Sequence, residues 1–179
     1  IFVQISIILI IVLLTIAFLH TRYGILHLEK LAEKGIISKK EFYKDATLDQ
    51  QGWQVVSDYL EKNDIDPEKV FLFTPKWFLS GEVEFAGKGK YQVLCFNKKD
   101  SRGYGIWDQE KNMTGRDGIC IYSNRYKIRP QERYKEYFTS FSSPDSITVA
   151  RGGVLSKWFY FQHCHNLHKP YPLPYSIKK

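Results

Sequence analysis

The fold is decided by residues 70–96, which read VFLFTPKWFLSGEVEFAGKGKYQVLCF. Residues 70–73 (VFLF) form a short, fully apolar run, which is typical of a strand buried on both faces. The next residues carry apolar side chains at helical spacing until Gly87 and Gly89, which end the predicted helix. Residues 91–96 (YQVLCF) then return as a second strand. A strand, a helix and a strand in this order predict two parallel strands joined by a crossover helix.

The flanking sequence predicts further helices and strands. The helix before this unit carries on one face Trp53, Val56, Tyr59 and Leu60. A third strand is predicted for residues 118–122 (GICIY). Pro130 opens a predicted helix whose apolar face consists of Tyr134, Tyr137, Phe138 and Phe141.

Two strands close the predicted domain. Residues 147–150 and 157–162 read as antiparallel partners, and the turn between them contains Arg151-Gly152-Gly153. We therefore expect an α/β fold with a mainly parallel sheet flanked by helices and an antiparallel C-terminal hairpin.

The N-terminal segment is suited to lipid rather than to water. Sixteen of residues 1–19 (IFVQISIILIIVLLTIAFL) are apolar and none is charged. As a helix, this segment would be roughly 28 Å long, which nearly matches the hydrocarbon core of a bilayer. A signal peptide and a buried core helix are the alternatives, but the basic start and the small-residue cleavage site of a signal peptide are missing. We expect one transmembrane helix over residues 1–19.

Composition divides the remaining chain. The net charge of +7, from 26 Lys and Arg against 19 Asp and Glu, falls entirely after residue 19. Residues 20–46 read as a juxtamembrane connector with a short interfacial helix near Leu31 and a second one near Phe42, and a solvated tether is the alternative. Residues 47–168 are expected to form the extramembrane α/β domain, and residues 169–179 a Pro-rich tail.

Charge and cysteine count exclude several classes of protein. Three widely spaced cysteines exclude a disulfide-rich scaffold and a four-thiolate zinc ribbon. Lysines are scattered among carboxylates, so no basic stripe for nucleic acid is present, and we expect no nucleic-acid partner. Basic charge after an apolar span indicates a lipid bilayer as a partner.

The loop after the second predicted strand is the main candidate for ligand binding. It holds Arg102, Tyr104 and Trp107, and ligands of parallel α/β sheets bind at the carboxyl ends of the strands. Arg102 could grip a phosphate or carboxylate, and Trp107 could stack on a sugar. The alternative is structural: Trp107 would fill the core under the loop, and Arg102 would form a salt bridge.

Three histidines near the C-terminus are weaker candidates for a metal site. Residues His163 and His165 share one face of the last predicted strand, and His168 follows just beyond. Exposed histidines on a strand face, without a metal, are the alternative reading.

A family resemblance rests on motifs taken in order. The domain opens with Asp45-x-Thr47-x-x-x-x-Gly52-Trp53, and its crossover helix reads Trp77-x-x-Ser80-x-x-Val83-x-Phe85. Arg102, Tyr104 and Trp107 follow, then Gly115-Arg116-Asp117-Gly118-Ile119 and the Arg151-Gly-Gly hairpin. From about Asp45 to His163, this order resembles the C-terminal extramembrane domain of bacterial membrane glycosyltransferases. These are relatives of dolichyl-phosphate-mannose–protein mannosyltransferases and of the aminoarabinose transferase that modifies lipid A.

The resemblance implies a polytopic inner-membrane enzyme that moves a sugar from a polyprenyl-phosphate donor to a lipid, glycan or protein acceptor. Family catalysis uses acidic residues of an early loop, so no catalytic residue is expected in residues 1–179, and a divalent metal is possible only in the longer enzyme. The chain starts with Ile1 and is expected to be the tail of a longer protein, with a missing upstream membrane domain as partner.

The resemblance also implies a periplasmic domain that shapes the acceptor side. Basic residues after the span would instead favour the cytoplasm. A membrane-tethered binding module without catalysis is the alternative function.

Overall fold

The computed structural model describes residues 2–38, 45–109 and 111–174. Its helices are α1 (Phe2–Tyr23), α2 (Leu28–Glu33), α3 (Gln54–Lys62), α4 (Trp77–Ala86), α5 (Tyr104–Trp107) and α6 (Pro130–Arg133). Its strands are β1 (Val70–Thr74), β2 (Val93–Cys95), β3 (Asp117–Ser123), β4 (Phe138–Phe141), β5 (Asp145–Arg151) and β6 (Val154–Leu167). Short 3₁₀ turns cover Ala46–Leu48 and Asn124–Tyr126. The helix predicted near Phe42 and the last residues of the Pro-rich tail lie outside the described residues.

The strands form one mixed sheet in the order β2-β1-β3-β6-β4, and β5 pairs with β6. Strand β1 runs parallel to both β2 and β3, whereas β6 runs antiparallel to β3 and β4. The predicted crossover unit is confirmed, because Leu72 of β1 lies opposite Val93 of β2 and α4 packs on both strands. The antiparallel strands expected at one edge of the sheet are also present.

The chain divides into two compact units, which we describe separately. The first consists of Ile1–Gly52 and Thr148–Lys157, and the second of Trp53–Ile147 and Trp158–Lys179.

The first unit contains α1 and a buried ionic cluster. Helix α1 has 22 residues, is long and apolar enough to cross a membrane, and buries none of its apolar window inside the structure. The guanidinium of Arg151 lies 2.6 Å from Asp45 Oδ2 and 2.7 Å from Thr47 Oγ1. Burial alone would raise the pKa of Asp45, but the hydrogen bonds from Arg151 and Thr47 outweigh it and lower the pKa. The carboxylate is therefore ionised and paired.

The second unit is built around aromatic side chains. One face of the sheet carries Phe71, Phe73 and Phe96, which pack with Phe138 and Tyr134. The cysteines of this unit, Cys95, Cys120 and Cys164, are buried and free. They act as small apolar residues in the core.

One predicted helix is wrong. Helix α6 ends at Arg133, and Phe138–Phe141 forms strand β4 instead of continuing the helix that Pro130 opens. Four apolar side chains at helical spacing suggested a helix, but this segment pairs with β6, with Ser140 opposite His165. Phe138 is buried while Thr139 and Ser140 face solvent, which suits the edge of a sheet better than a helix.

Candidate ligand-binding surface

The loop that carries the predicted site residues begins with a buried amide. Asn97 lies at the carboxyl end of β2, and its Nδ2 donates to the carbonyl of Pro75 at 3.0 Å. Its Oδ1 accepts hydrogen bonds from the backbone N–H groups of Lys99 and Asp100, each at 3.0 Å. An asparagine side chain used in this way fixes a tight turn. The loop is therefore held in one path towards α5.

Tyr104 anchors α5 to α4. It is only 7% exposed, and its hydroxyl donates to Glu84 Oε2 at 2.9 Å. Burial and the neighbouring Glu84 carboxylate raise the pKa of Tyr104 well above its usual value, so the hydroxyl keeps its proton. Gly81 of α4 faces this contact, and a Cβ there would lie at an ordinary van der Waals distance of 3.9 Å from the Tyr104 hydroxyl. Of the three predicted ligand residues, Tyr104 is therefore the buried one, and its role is to hold α5 in place.

Arg102 lies on the surface above an indole. Its Nε donates to Asp100 Oδ1 at 2.9 Å, and its guanidinium carbon lies 5.4 Å from the ring centre of Trp77. An exposed ion pair of this kind adds little stability, whereas a guanidinium over an indole is held in place by a cation–π contact. The Arg102 side chain is 65% exposed and the ion pair uses Nε, so the guanidinium is open to an anion from solvent.

Trp107 is 67% exposed and does not fill the core. Its ring lies edge-on to Tyr104, with 5.6 Å between the ring centres, and it covers Gly103 closely. The alternative reading, in which Trp107 fills the core under this loop, is therefore wrong. A flat indole held against the loop but open to water is suited to stacking on the apolar face of a sugar ring.

Sequence reasoning missed the neighbours of these residues on α4. Trp77 is 38% exposed and Phe85 is 84% exposed, and Ile106 of α5 is exposed as well. Residues 77, 81 and 85 follow each other at i, i+4 and i+8, so they form a face separate from the buried Leu79 and Val83. The apolar residues of this second face were the sequence signal that could have revealed these exposed side chains. We call Trp77, Arg102, Ile106 and Trp107 the aromatic surface; Phe85, at the other end of α4, lines a separate cavity.

A partly enclosed cavity of about 400 Å³ lies beside the end of the same loop. Its apolar lining includes Phe96, Met113 and Tyr171, and Asp108 lies at its wall. The Asp108 carboxylate accepts from the backbone of Cys95 at 3.3 Å and from Lys111 Nζ at 2.8 Å. Burial raises the pKa of Asp108 despite these bonds. Through these two hydrogen bonds, Asp108 connects the cavity wall to Cys95 of β2 and to Lys111.

The three histidines lie in different surroundings. His163 Nε2 lies 3.3 Å from the hydroxyl of Tyr59, His165 contacts Asp117, and His168 is exposed. Among the residues that the structure describes, no group of three or more His, Cys, Asp or Glu side chains is arranged to hold a metal ion.

No known protein family, curated protein or solved structure matches this chain. The function is therefore argued from the sequence motifs and from the geometry of the described residues.

Proposed function

We propose that this chain is the C-terminal part of an integral-membrane glycosyltransferase that transfers a sugar from a polyprenyl-phosphate donor to a lipid, glycan or protein acceptor. Its second unit serves the acceptor side and contributes no catalytic residue to the sugar transfer. The single observation that carries the proposal is the aromatic surface, in which Arg102 lies over one exposed indole and Trp107 presents another.

Two indoles and a guanidinium match the chemistry of a sugar linked to a phosphate. The apolar face of a hexose stacks on an exposed indole, and the Arg102 Nη groups bind phosphate oxygens in a bidentate manner. Tyr104 holds α5 against α4 through Glu84, so the indoles of Trp77 and Trp107 keep a fixed separation. A preformed surface loses less entropy on binding than a flexible one.

Helix α1 supports the membrane part of the proposal, because it is long and apolar enough to span a bilayer. We place the enzyme in the bacterial inner membrane and the second unit in the periplasm, which follows from the family resemblance. The remaining partners are the upstream membrane domain and the lipid bilayer. A divalent metal, if the enzyme uses one, belongs to that upstream part.

Binding of a lipid-linked sugar tests the proposal. The whole chain in lipid nanodiscs is titrated by calorimetry with a polyprenyl-phosphate hexose, and in parallel with polyprenyl phosphate alone. We expect binding of the sugar-bearing lipid, weakened about tenfold or more by Trp107→Ala and by Arg102→Ala, which corresponds to about 1.4 kcal/mol each.

Phe85→Ala is the matched control, since Phe85 is an exposed aromatic residue of α4 that lies outside the aromatic surface, where it lines a separate cavity with Trp53 and Lys88. It should bind as the unchanged chain does. Equal binding by all variants, or no difference between the lipid with and without its sugar, would contradict the sugar-binding role.

A membrane-tethered binding module is the second candidate function, favoured by α1 and the aromatic surface taken alone. The coding sequence upstream of Ile1 separates the two. Several further apolar spans and an acidic pair in an early loop support the glycosyltransferase. A start codon directly before Ile1 supports the module.

A further inference from the structure

Three polar side chains meet across neighbouring strands of the second unit. Asp117 is the first residue of β3, His165 lies near the end of β6, and Ser142 directly follows β4. Strand β6 lies between β3 and β4 in the sheet. The side chains therefore stand side by side in the order Asp117, His165, Ser142, and we call them the serine cluster.

The distances in the serine cluster join the three groups into one hydrogen-bonded chain. Ser142 Oγ lies 2.9 Å from His165 Nε2, and His165 Nδ1 lies 3.1 Å from Asp117 Oδ2. A hydroxyl within hydrogen-bond reach of one imidazole nitrogen, with a carboxylate on the other nitrogen, is the arrangement that activates serine nucleophiles.

The state of Asp117 fixes the tautomer of His165. Burial alone would raise the pKa of Asp117, but hydrogen bonds from the Asn166 backbone and from His165 lower it. The Asn166 N–H donates to Asp117 Oδ1 at 2.7 Å. An ionised carboxylate can only accept, so Nδ1 of His165 carries a hydrogen. In the neutral ring, Nε2 then has the lone pair that accepts the Ser142 hydroxyl hydrogen.

The backbone of Ser142 is held in place while its hydroxyl stays accessible. Its N–H donates to the His163 carbonyl at 3.0 Å, and its carbonyl accepts from Gln162 Nε2 at 2.9 Å. Gln162 is itself only 2% exposed. Ser142 is exposed, so an ester at the surface can reach it. Asp117 and His165 lie on paired strands, which hold side-chain geometry better than free loops do.

We propose that Ser142 is a nucleophile that attacks small carboxylic esters, with His165 as general base and Asp117 as positioning residue. Ser142 Oγ bonds to the ester carbonyl carbon while its proton passes to His165 Nε2. The bond from that carbon to the alkoxy oxygen breaks, and the leaving alcohol takes the proton. Water then attacks the acyl-serine through the same base, which releases a carboxylic acid and restores Ser142. The net reaction is hydrolysis of an ester to an acid and an alcohol.

This activity goes beyond the proposed glycosyltransferase role, which assigns no catalytic residue to the chain. The serine cluster shares no residue with the aromatic surface. Loss of sugar binding would therefore leave the ester activity untouched, and the reverse also holds.

A fluorophosphonate probe tests the proposal on the whole chain in detergent. Ser142 Oγ bonds to phosphorus, fluoride leaves, and His165 takes the proton. We expect one adduct, located at Ser142 by peptide mass spectrometry, and slow hydrolysis of p-nitrophenyl acetate. Ser142→Ala should abolish both signals. His165→Gln, which keeps a hydrogen-bonding side chain but is no base, should slow labelling about a hundredfold or more.

Ser143→Ala is the matched control, since Ser143 is an exposed neighbour in the same turn, and it should label like the unchanged chain. Circular dichroism confirms that each variant is folded. Labelling of Ser142 that is no faster than that of other exposed serines, or that is unaffected by His165→Gln in a folded protein, would overturn the proposal.

The positioning role of Asp117 has its own readout. Nitrogen NMR of the His165 ring should show the hydrogen on Nδ1 in the unchanged chain. Asp117→Asn should shift it towards Nε2 and slow the labelling of Ser142. An unchanged tautomer and an unchanged labelling rate in Asp117→Asn would overturn this role.

Discussion

Arg151 is one of the largest fully buried side chains among the described residues, and its guanidinium is paired with the Asp45 carboxylate. Its side chain is fully enclosed, and Asp45 Oδ2 lies 2.6 Å away. Breaking a buried ion pair by removing one partner leaves an unpaired charge, which costs more stability than the pair itself contributes.

Arg151→Met should therefore lower the free energy of unfolding by about 3–5 kcal/mol. Adding Asp45→Asn to this variant should recover part of the loss, because it removes a carboxylate that has lost its guanidinium and keeps the weaker contact with His20 Nε2 at 3.3 Å. Thermal unfolding in detergent micelles measures both. Arg129→Met, at an exposed pair with Glu132, is the control and should leave the midpoint unchanged. A fully destabilised double variant would contradict the ionic explanation.

His163 makes stability depend on pH. Burial, together with the nearby His165, lowers the pKa of His163, and Asp145 and Asp117 only partly oppose this. The unfolded chain, with an ordinary His pKa of about 6.5, therefore takes up the proton first as the pH falls. The stabilisation is present above that value and is lost as the pH falls through the lower pKa of the folded state.

We expect His163→Gln to flatten the loss of stability between about pH 7 and pH 5, since it removes one of the groups that the folded state keeps neutral. Unfolding by denaturant at each pH gives the slope. His168→Gln, at an exposed position, should keep the slope of the unchanged chain. Equal slopes for all three proteins would show that His163 does not control this range.

At the scale of elements, the sequence pattern predicted those helices and strands that depend on contacts between residues close together in the chain. The strand–helix–strand unit of residues 70–96 could be predicted because each of its apolar runs has one period and glycines end its helix. Strand β4 could not be predicted in this way. It pairs with β6, whose residues are far away in the sequence, and this pairing overrides the helical spacing of the apolar residues in β4. Long-range pairing also creates the serine cluster, whose members the sequence never places together.

Only part of the candidate site, too, could be predicted from the sequence. The position of Arg102, Tyr104 and Trp107 after a strand follows from the sequence, but which of them is buried does not. Tyr104 is buried and donates to Glu84 on another helix, whereas Trp107 is exposed, and the spacing of these residues in the sequence does not reveal this difference.

Helix α5 offers a test of how the aromatic surface is shaped. A Cβ on Gly103 would lie 2.6 Å from Cη2 of Trp107, so Gly103→Ala must displace the indole. Because Trp107 is exposed, it can move, and the thermal midpoint should change little while binding of the polyprenyl-phosphate hexose weakens. Gly81→Ala, whose Cβ finds ordinary space, is the matched control. Unchanged binding by Gly103→Ala would show that the Trp107 ring position is unimportant.

At the scale of the whole molecule, the composition reflects two environments: lipid for the N-terminal helix and water for the charged remainder. All of the +7 net charge lies after an N-terminal segment whose helix is suited to lipid, and the mixed α/β sheet belongs to the charged remainder. We propose that a chain with this division binds a sugar with its folded unit while its apolar helix lies in the membrane. That arrangement is the central claim of the proposed function.

Sugar transfer by membranes that express the gene from its own locus tests this claim most directly. We expect a labelled hexose to pass from its polyprenyl-phosphate carrier to an acceptor in these membranes, and not in membranes from a deletion strain. Arg102→Ala combined with Trp107→Ala should reduce transfer about tenfold or more at limiting acceptor, whereas Phe85→Ala should not. Equal transfer by membranes with and without the gene would contradict the account.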